Sequence, residues 1–133
     1  MIVVDTNAVL YALLPGDHHA AADVWWSRDS QRVAPPLLLD ELRNVLLGFV
    51  RRNTLTLGEA QSLHAEVRAS VEICEIQHAD DLLGLAHSLG LSGYDVVYLA
   101  LARSLGAPLL TADKRLLAAA PTTCCDVRRA PDV

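Results

Sequence analysis

Hydrophobic residues fall into two rhythms along this chain. "IVV" at 2–4 is a short unbroken apolar run, the form of a strand covered on both faces. "NAVLYALL" then reads as a helix stopped by Pro15-Gly16, and "HHAAADVWWSRD" as a second helix, alanine-rich at its start. "RVAP" has the form of a short strand. In "PLLLDELRNVLLGFVRRN" a proline opens the first turn and arginines close the last, which suits the helix dipole. "LGEAQSLHAEVRAS" reads as a helix, "VEICEI" as a strand, and "HADDLLGLAHSLG" and "SGYDVVYLALARSLG" as helices ended by Gly90 and Gly106. "APLLTAD" carries a strand, "KRLLAAA" a last helix and "TTCCDV" a last strand. Short strands separated by helical crossovers predict an α/β fold, an α/β/α sandwich on a short, mainly parallel sheet.

Length and composition narrow this picture. The 133 residues form a single domain, 1–133, able to bury its own core without disulfide staples. No apolar stretch reaches the length of a membrane span, and "MIVVDTN" lacks the features of a signal peptide. Three cysteines, Cys74, Cys124 and Cys125, fit a reducing cytoplasm better than a disulfide framework, and no Cys/His spacing suits zinc. The net charge of −5 has the wrong sign for coating nucleic acid with a broad basic surface. It leaves room for an enzyme whose acids are gathered in one cleft.

Four acids stand out. Asp5 and Asp113 each follow a predicted strand and start a predicted helix, where an N-cap accounts for either one alone. Asp95 lies three residues after Ser92, close to a capping-box spacing. Glu41 differs: Leu37, Leu38 and Val45 are its helical neighbours, along with Asn44, so it borders an apolar stripe where a bare carboxylate is costly. Capping needs only a side-chain oxygen, so serine, threonine or asparagine would serve as well as these carboxylates. Ligands of open α/β sheets bind outside the carboxyl ends of the strands, where Asp5 and Asp113 must lie. Hard carboxylate oxygens without a soft ligand nearby suit Mg²⁺ or Mn²⁺, and such a site favours phosphodiester hydrolysis. The five histidines and the cysteines are poorly placed for metal-independent or nucleophilic chemistry.

"VVDTNAVLYALL", "ELRNVL" and "LSGYDVVYLALARSLGAPLLTADKRL" resemble, in order and spacing, the PIN-domain ribonucleases, specifically VapC-type toxins of toxin–antitoxin pairs. The resemblance implies an acidic site with Asp5 and Asp95 as direct metal ligands and Glu41 and Asp113 completing the cluster, directly or through water. It implies a supporting hydroxyl at Thr111, and hydrogen bonds from Asn7 and Thr6 to Asp5, with capping as their simpler role. It further implies cleavage of RNA, often a tRNA or ribosomal RNA loop, a homodimer, and silencing by a cognate antitoxin that lies in the active-site groove. Val96 departs from the family's usual alanine after the third acid and is expected to tighten packing only. An acidic cleft flanked by apolar helices, including Trp25 and Trp26, suits a basic amphipathic partner, although core packing is the simpler role for at least one tryptophan. Two other readings remain open: a phospho-acceptor receiver-like signalling domain, and a non-catalytic interaction domain whose acids only cap or face solvent.

Overall fold

The apolar runs pair where a parallel sheet would place them. The computed structural model describes residues 1–76 and 81–131. Strand β1 (Ile2–Val4) leads into helices α1 (Thr6–Leu13) and α2 (His19–Arg28), and then strand β2 (Arg32–Ala34). Helices α3 (Leu37–Arg51) and α4 (Leu57–Ser70) connect to strand β3 (Glu72–Ile73). Helices α5 (Leu82–Leu89) and α6 (Asp95–Leu105) precede strand β4 (Leu109–Thr111), helix α7 (Lys114–Ala119) and strand β5 (Cys124–Asp126). Every expected element is present, though "VEICEI" shrinks to a two-residue strand with Cys74 beyond its end. That strand bonds only to β2 and exposes both of its side chains, so the run had little burial to extend it. The expected helix start near His78 lies outside the described residues; α5 begins at Leu82, capped by Asp81, whose carboxylate accepts the Gly84 N–H at 2.9 Å.

The sheet order is β3-β2-β1-β4-β5, and every pairing is parallel. Val3 sits in register with Val33 on one side and Leu109 on the other, so β1 is the centre of the core. The chain steps outward from β1 to β2 to β3, then returns across β1 to β4. Right-handed crossovers therefore put α1 to α4 on one face and α5 to α7 on the other. The packing agrees: α1 lies on α2 and α3, α3 on α4, and α5 on α6, while α6 rests on β1 and β4. This is the expected α/β/α sandwich. Its strand order is not the 2-1-3-4-5 order of receiver-type domains, which counts against the signalling reading.

Val3, Val4, Leu38, Leu42, Leu99, Leu109 and Leu110 are buried to 1% exposure or less and form one continuous core. Each such side chain contributes about 1.5–3 kcal/mol on leaving water. Val96 joins this core without leaving the α6 line. Gly90 and Gly106 end α5 and α6 with φ of 67° and 61°, the left-handed geometry expected of them. The start of α4 carries a full capping box between Thr56 and Glu59. Among the described residues, no helix is long and apolar enough to cross a membrane.

Candidate active site

The reversal of strand order falls between β1 and β4, and the crevice outside their carboxyl ends is where an open sheet binds its ligand. Asp5 is the first residue beyond β1. Its Oδ1 caps α1 by accepting the Ala8 N–H at 2.8 Å, so the simple reading of this residue is correct as far as it goes. Its Oδ2 accepts the hydroxyl of Thr111, the last residue of β4, which is fully buried. Thr111 Oγ1 in turn accepts the Asp113 N–H at 3.0 Å. One hydroxyl thus ties the two acid-bearing strand ends together. Asp113 caps α7 through Oδ1, which accepts from Arg115 N at 2.8 Å and Leu116 N at 3.0 Å. Its Oδ2 receives no hydrogen bond among the described residues.

Asp95 is not absorbed by its capping box. The Ser92 hydroxyl accepts the Asp95 N–H at 3.0 Å, but no backbone N–H returns to the Asp95 carboxylate, so the box is half made. Glu41 is held from two sides. Thr6 Oγ1 donates to Glu41 Oε1 at 3.1 Å, and the hydroxyl of Tyr98 donates to the same oxygen. Thr6 therefore supports Glu41, not Asp5, because on the first turn of α1 its side chain turns towards α3. Asn7 is exposed and makes no side-chain hydrogen bond among the described residues, so its expected bond to Asp5 is likewise not made. Tyr98 was missed from the sequence. Its signal was spacing: three residues after Asp95 on one helix, it shares that acid's face, and it is the aromatic in an aliphatic stretch. The Tyr98 side chain is 2% exposed, and burial, with the Glu41 carboxylate beside it, drives its phenol pKa upward. It remains a donor.

The electrostatics join the four acids into one group. Burial pushes the Asp5 carboxyl up to about 6, against the pull of its Thr111 and Ala8 hydrogen bonds, and the charges of Asp95 and Asp113 add to the rise. Asp95 is also raised, first by burial and then by Asp113 and Glu41, with Ser92 and Arg115 offsetting part of it. None of the four forms a salt bridge to Lys or Arg among the described residues. Mutual repulsion without a salt-bridged protein cation leaves the group short of positive charge. Among the described residues, no three His, Cys, Asp or Glu side chains gather tightly enough to wrap a metal ion by themselves. The open, all-oxygen donor set fits an ion such as Mg²⁺, which keeps several waters and needs only one or two carboxylates.

Other chemistry is poorly served. The Cys124 thiol is pushed up to about 11, first by burial and then by Cys125 and Asp5, and burial raises Cys125 as well, so neither offers a ready thiolate. The His19 ring bonds the Tyr11 carbonyl at 3.0 Å and the His18 ring meets the Tyr11 ring edge-on. His64 and His87 belong to α4 and α5. Both tryptophans pack half-buried against the core, Trp26 beneath the Arg32 guanidinium at 4.1 Å.

Residues 2–121 match the PIN domain family, over nearly the whole chain. The chain belongs to the PIN domain family. This PIN domain is 28% identical over 119 residues to Ribonuclease VapC3 of Pyrobaculum aerophilum, a match spanning 86% of this chain and 91% of that protein. The crystal structure of PAE2754 from Pyrobaculum aerophilum superposes with a TM-score of 0.75 at 26% identity, covering 92% of this chain and 81% of the other. A chain from a Klebsiella pneumoniae toxin–antitoxin complex shares the fold at TM-score 0.69 and 17% identity, covering 97% and 99%. In this PIN domain the sequence-read acids Asp5 and Asp113 flank the strand-order reversal, and Asp95 and Glu41 reach towards it from α6 and α3.

Proposed function

We propose that this PIN domain is a Mg²⁺- or Mn²⁺-dependent endoribonuclease acting as the toxin of a toxin–antitoxin pair. The observation that carries the reading is the gathering of four carboxylates at the strand-order reversal, where burial and then the neighbouring acids raise Asp5 and Asp95, with no salt-bridged cation among the described residues. The likeness to Ribonuclease VapC3 supports RNA as the substrate, and the fold shared with the Klebsiella pneumoniae complex is in keeping with an antitoxin partner.

Asp5 and Asp95 are the residues to hold the ion, with Glu41 and Asp113 joining directly or through water. A bound divalent ion supplies a Lewis acid for the phosphate oxygen and lowers the pKa of its water for in-line attack. Thr111 fixes the Asp5 carboxylate by donating to Oδ2. Thr6 and Tyr98 hold Glu41 by Oε1, leaving Oε2 turned from these donors. Glu41 Oε2 and Asp113 Oδ2, which accept no hydrogen bond among the described residues, are the oxygens left to take the proton of an attacking water. The same negative groove suits a basic side chain of an antitoxin, which would silence the site by standing in for the cation. A tRNA or ribosomal RNA loop as target, a homodimer as the working form and the cytoplasm as location complete the proposal.

The test is to induce the protein in cells and sequence the 5′ ends of total RNA, with Asp95→Asn as the control. New ends at discrete positions in structured RNA are expected with the wild type and not with the variant. Identical end profiles in the two would contradict the hydrolase.

A further inference from the structure

Beside the acids lies a cleft of about 690 Å³ whose charge opposes theirs. Lys114, Arg128 and Arg129 line it, against the single carboxylate of Asp126, in a chain of net charge −5. Arg128 is forked onto Asp126, Nε to Oδ1 and the terminal nitrogen to Oδ2, both at 2.9 Å, so this pair is largely self-satisfied. Arg129 reaches Asp126 only at 3.8 Å and its side chain is 86% exposed. Lys114 is exposed and has no carboxylate partner among the described residues. Two cations are therefore left for an anion that enters from solvent. The wall is built, not incidental: Trp25 Nε1 donates to the Arg129 carbonyl and fastens that backbone to α2, and the indole lines the same cleft.

Its position is fixed by the chain. Lys114 directly follows Asp113, and Asp126 stands in register with Thr111 on the neighbouring strand, about 4.8 Å away. The cleft thus begins where the acid cluster ends. We propose that it is a phosphate subsite for single-stranded RNA, in which Lys114 and Arg129 hold a backbone phosphate flanking the scissile one and Trp25 offers a surface to the adjoining base. This rests on the hydrolase reading above and extends it to how an acidic protein admits a polyanion. A chain of net negative charge repels RNA at long range, and a local surplus of cations at the lip of the acidic site reverses that field where the strand must enter. Cations beside an aromatic face are the combination that binds single strands without reading sequence.

The test is fluorescence anisotropy with a fluorescein-labelled oligouridylate of about 12 nucleotides. Binding to the full chain is measured in EDTA, which keeps hydrolysis out of the measurement, across salt from about 50 to about 200 mM. Lys114→Gln combined with Arg129→Gln is expected to weaken binding on the order of tenfold at the low-salt end. It should also make the slope of log affinity against log salt shallower by roughly 0.7, the change for the one phosphate that the pair holds. Arg43→Gln, which alters an exposed arginine on α3 already paired with Asp40, should leave affinity and slope as in the wild type. Unchanged affinity and slope in the double variant would overturn the subsite, as would a wild type that shows no saturable binding. Cleavage with Mn²⁺ is read separately. A wild type that binds with the expected slope but never cuts RNA overturns the hydrolase and leaves the subsite standing.

Discussion

Replacing Asp5 by asparagine is expected to reduce RNA cleavage by at least about a thousandfold while the fold survives. Asparagine keeps an oxygen for the Ala8 N–H, so the start of α1 stays capped. What is lost is the charge. Of the four acids, Asp5 is the most deeply buried, 8% exposed, and it is the one bonded to Thr111 across the sheet. A neutral amide there removes one of the two charges proposed to hold the divalent ion with Asp95 and so weakens its binding. Cleavage rates with Mn²⁺, alongside far-ultraviolet circular dichroism and a thermal melt, check both halves of this expectation. A variant that folds and still cuts RNA at the wild-type rate would remove Asp5 from the chemistry.

The second large effect is on stability in metal-free buffer. The Asp5 carboxyl, with an ordinary value of 3.8, is pushed up to about 6 in the folded protein. A group raised in this way adds stability that is fully present below its unfolded value and is lost as pH climbs through the folded one. With EDTA present, stability should therefore fall between about pH 4 and pH 7, by about 3 kcal/mol from this residue. Asp95, also raised, adds a smaller loss of the same sign, reduced because it is half exposed to solvent. Urea unfolding at a series of pH values reads the slope directly. In Asp5→Asn the greater part of that slope should vanish. A wild type whose metal-free stability is flat or rising over this range would show that the carboxylate is not strained by burial and its neighbours.

The parts legible in the sequence are those fixed by local pattern. "IVV" must be covered on both faces, and the unbroken run places β1 at the centre of the sheet. "TAD" after "LL" puts a hydroxyl and an acid at a strand end, and Thr111 and Asp113 stand there in the structure. Gly90 and Gly106 mark two helix ends because glycine, with no Cβ, enters the left-handed region without strain. Glu41 was legible because a carboxylate beside leucines asks for a partner. Its partners were not, since Tyr98 is 57 residues away and meets it only after α6 crosses to the sheet edge. The resemblance pairs Thr6 with Asp5, but a helical turn rotates neighbouring side chains by about 100°, and Thr6 faces Glu41 instead. β3 is shorter than "VEICEI" for a related reason: the stretch is apolar-rich like a strand, but an edge position pairs it on one side only. The basic cleft was hidden because Trp25, Lys114 and Arg129 come together only when β5 closes the sheet.

The claim beneath all of this is that Asp5, Glu41, Asp95 and Asp113 form a common divalent-metal site, Asp5 and Asp95 as ligands and the other two directly or through water. Thermal melting of the wild type with and without Mn²⁺ at neutral pH, beside Asp5→Asn and Asp95→Asn, tests it most directly. At about one hundred times the dissociation constant the wild type should gain about 2.7 kcal/mol, seen as a rise of several degrees in Tm, and both variants should lose most of that gain. A wild type indifferent to Mn²⁺, or variants stabilised as much as it is, would contradict the shared site.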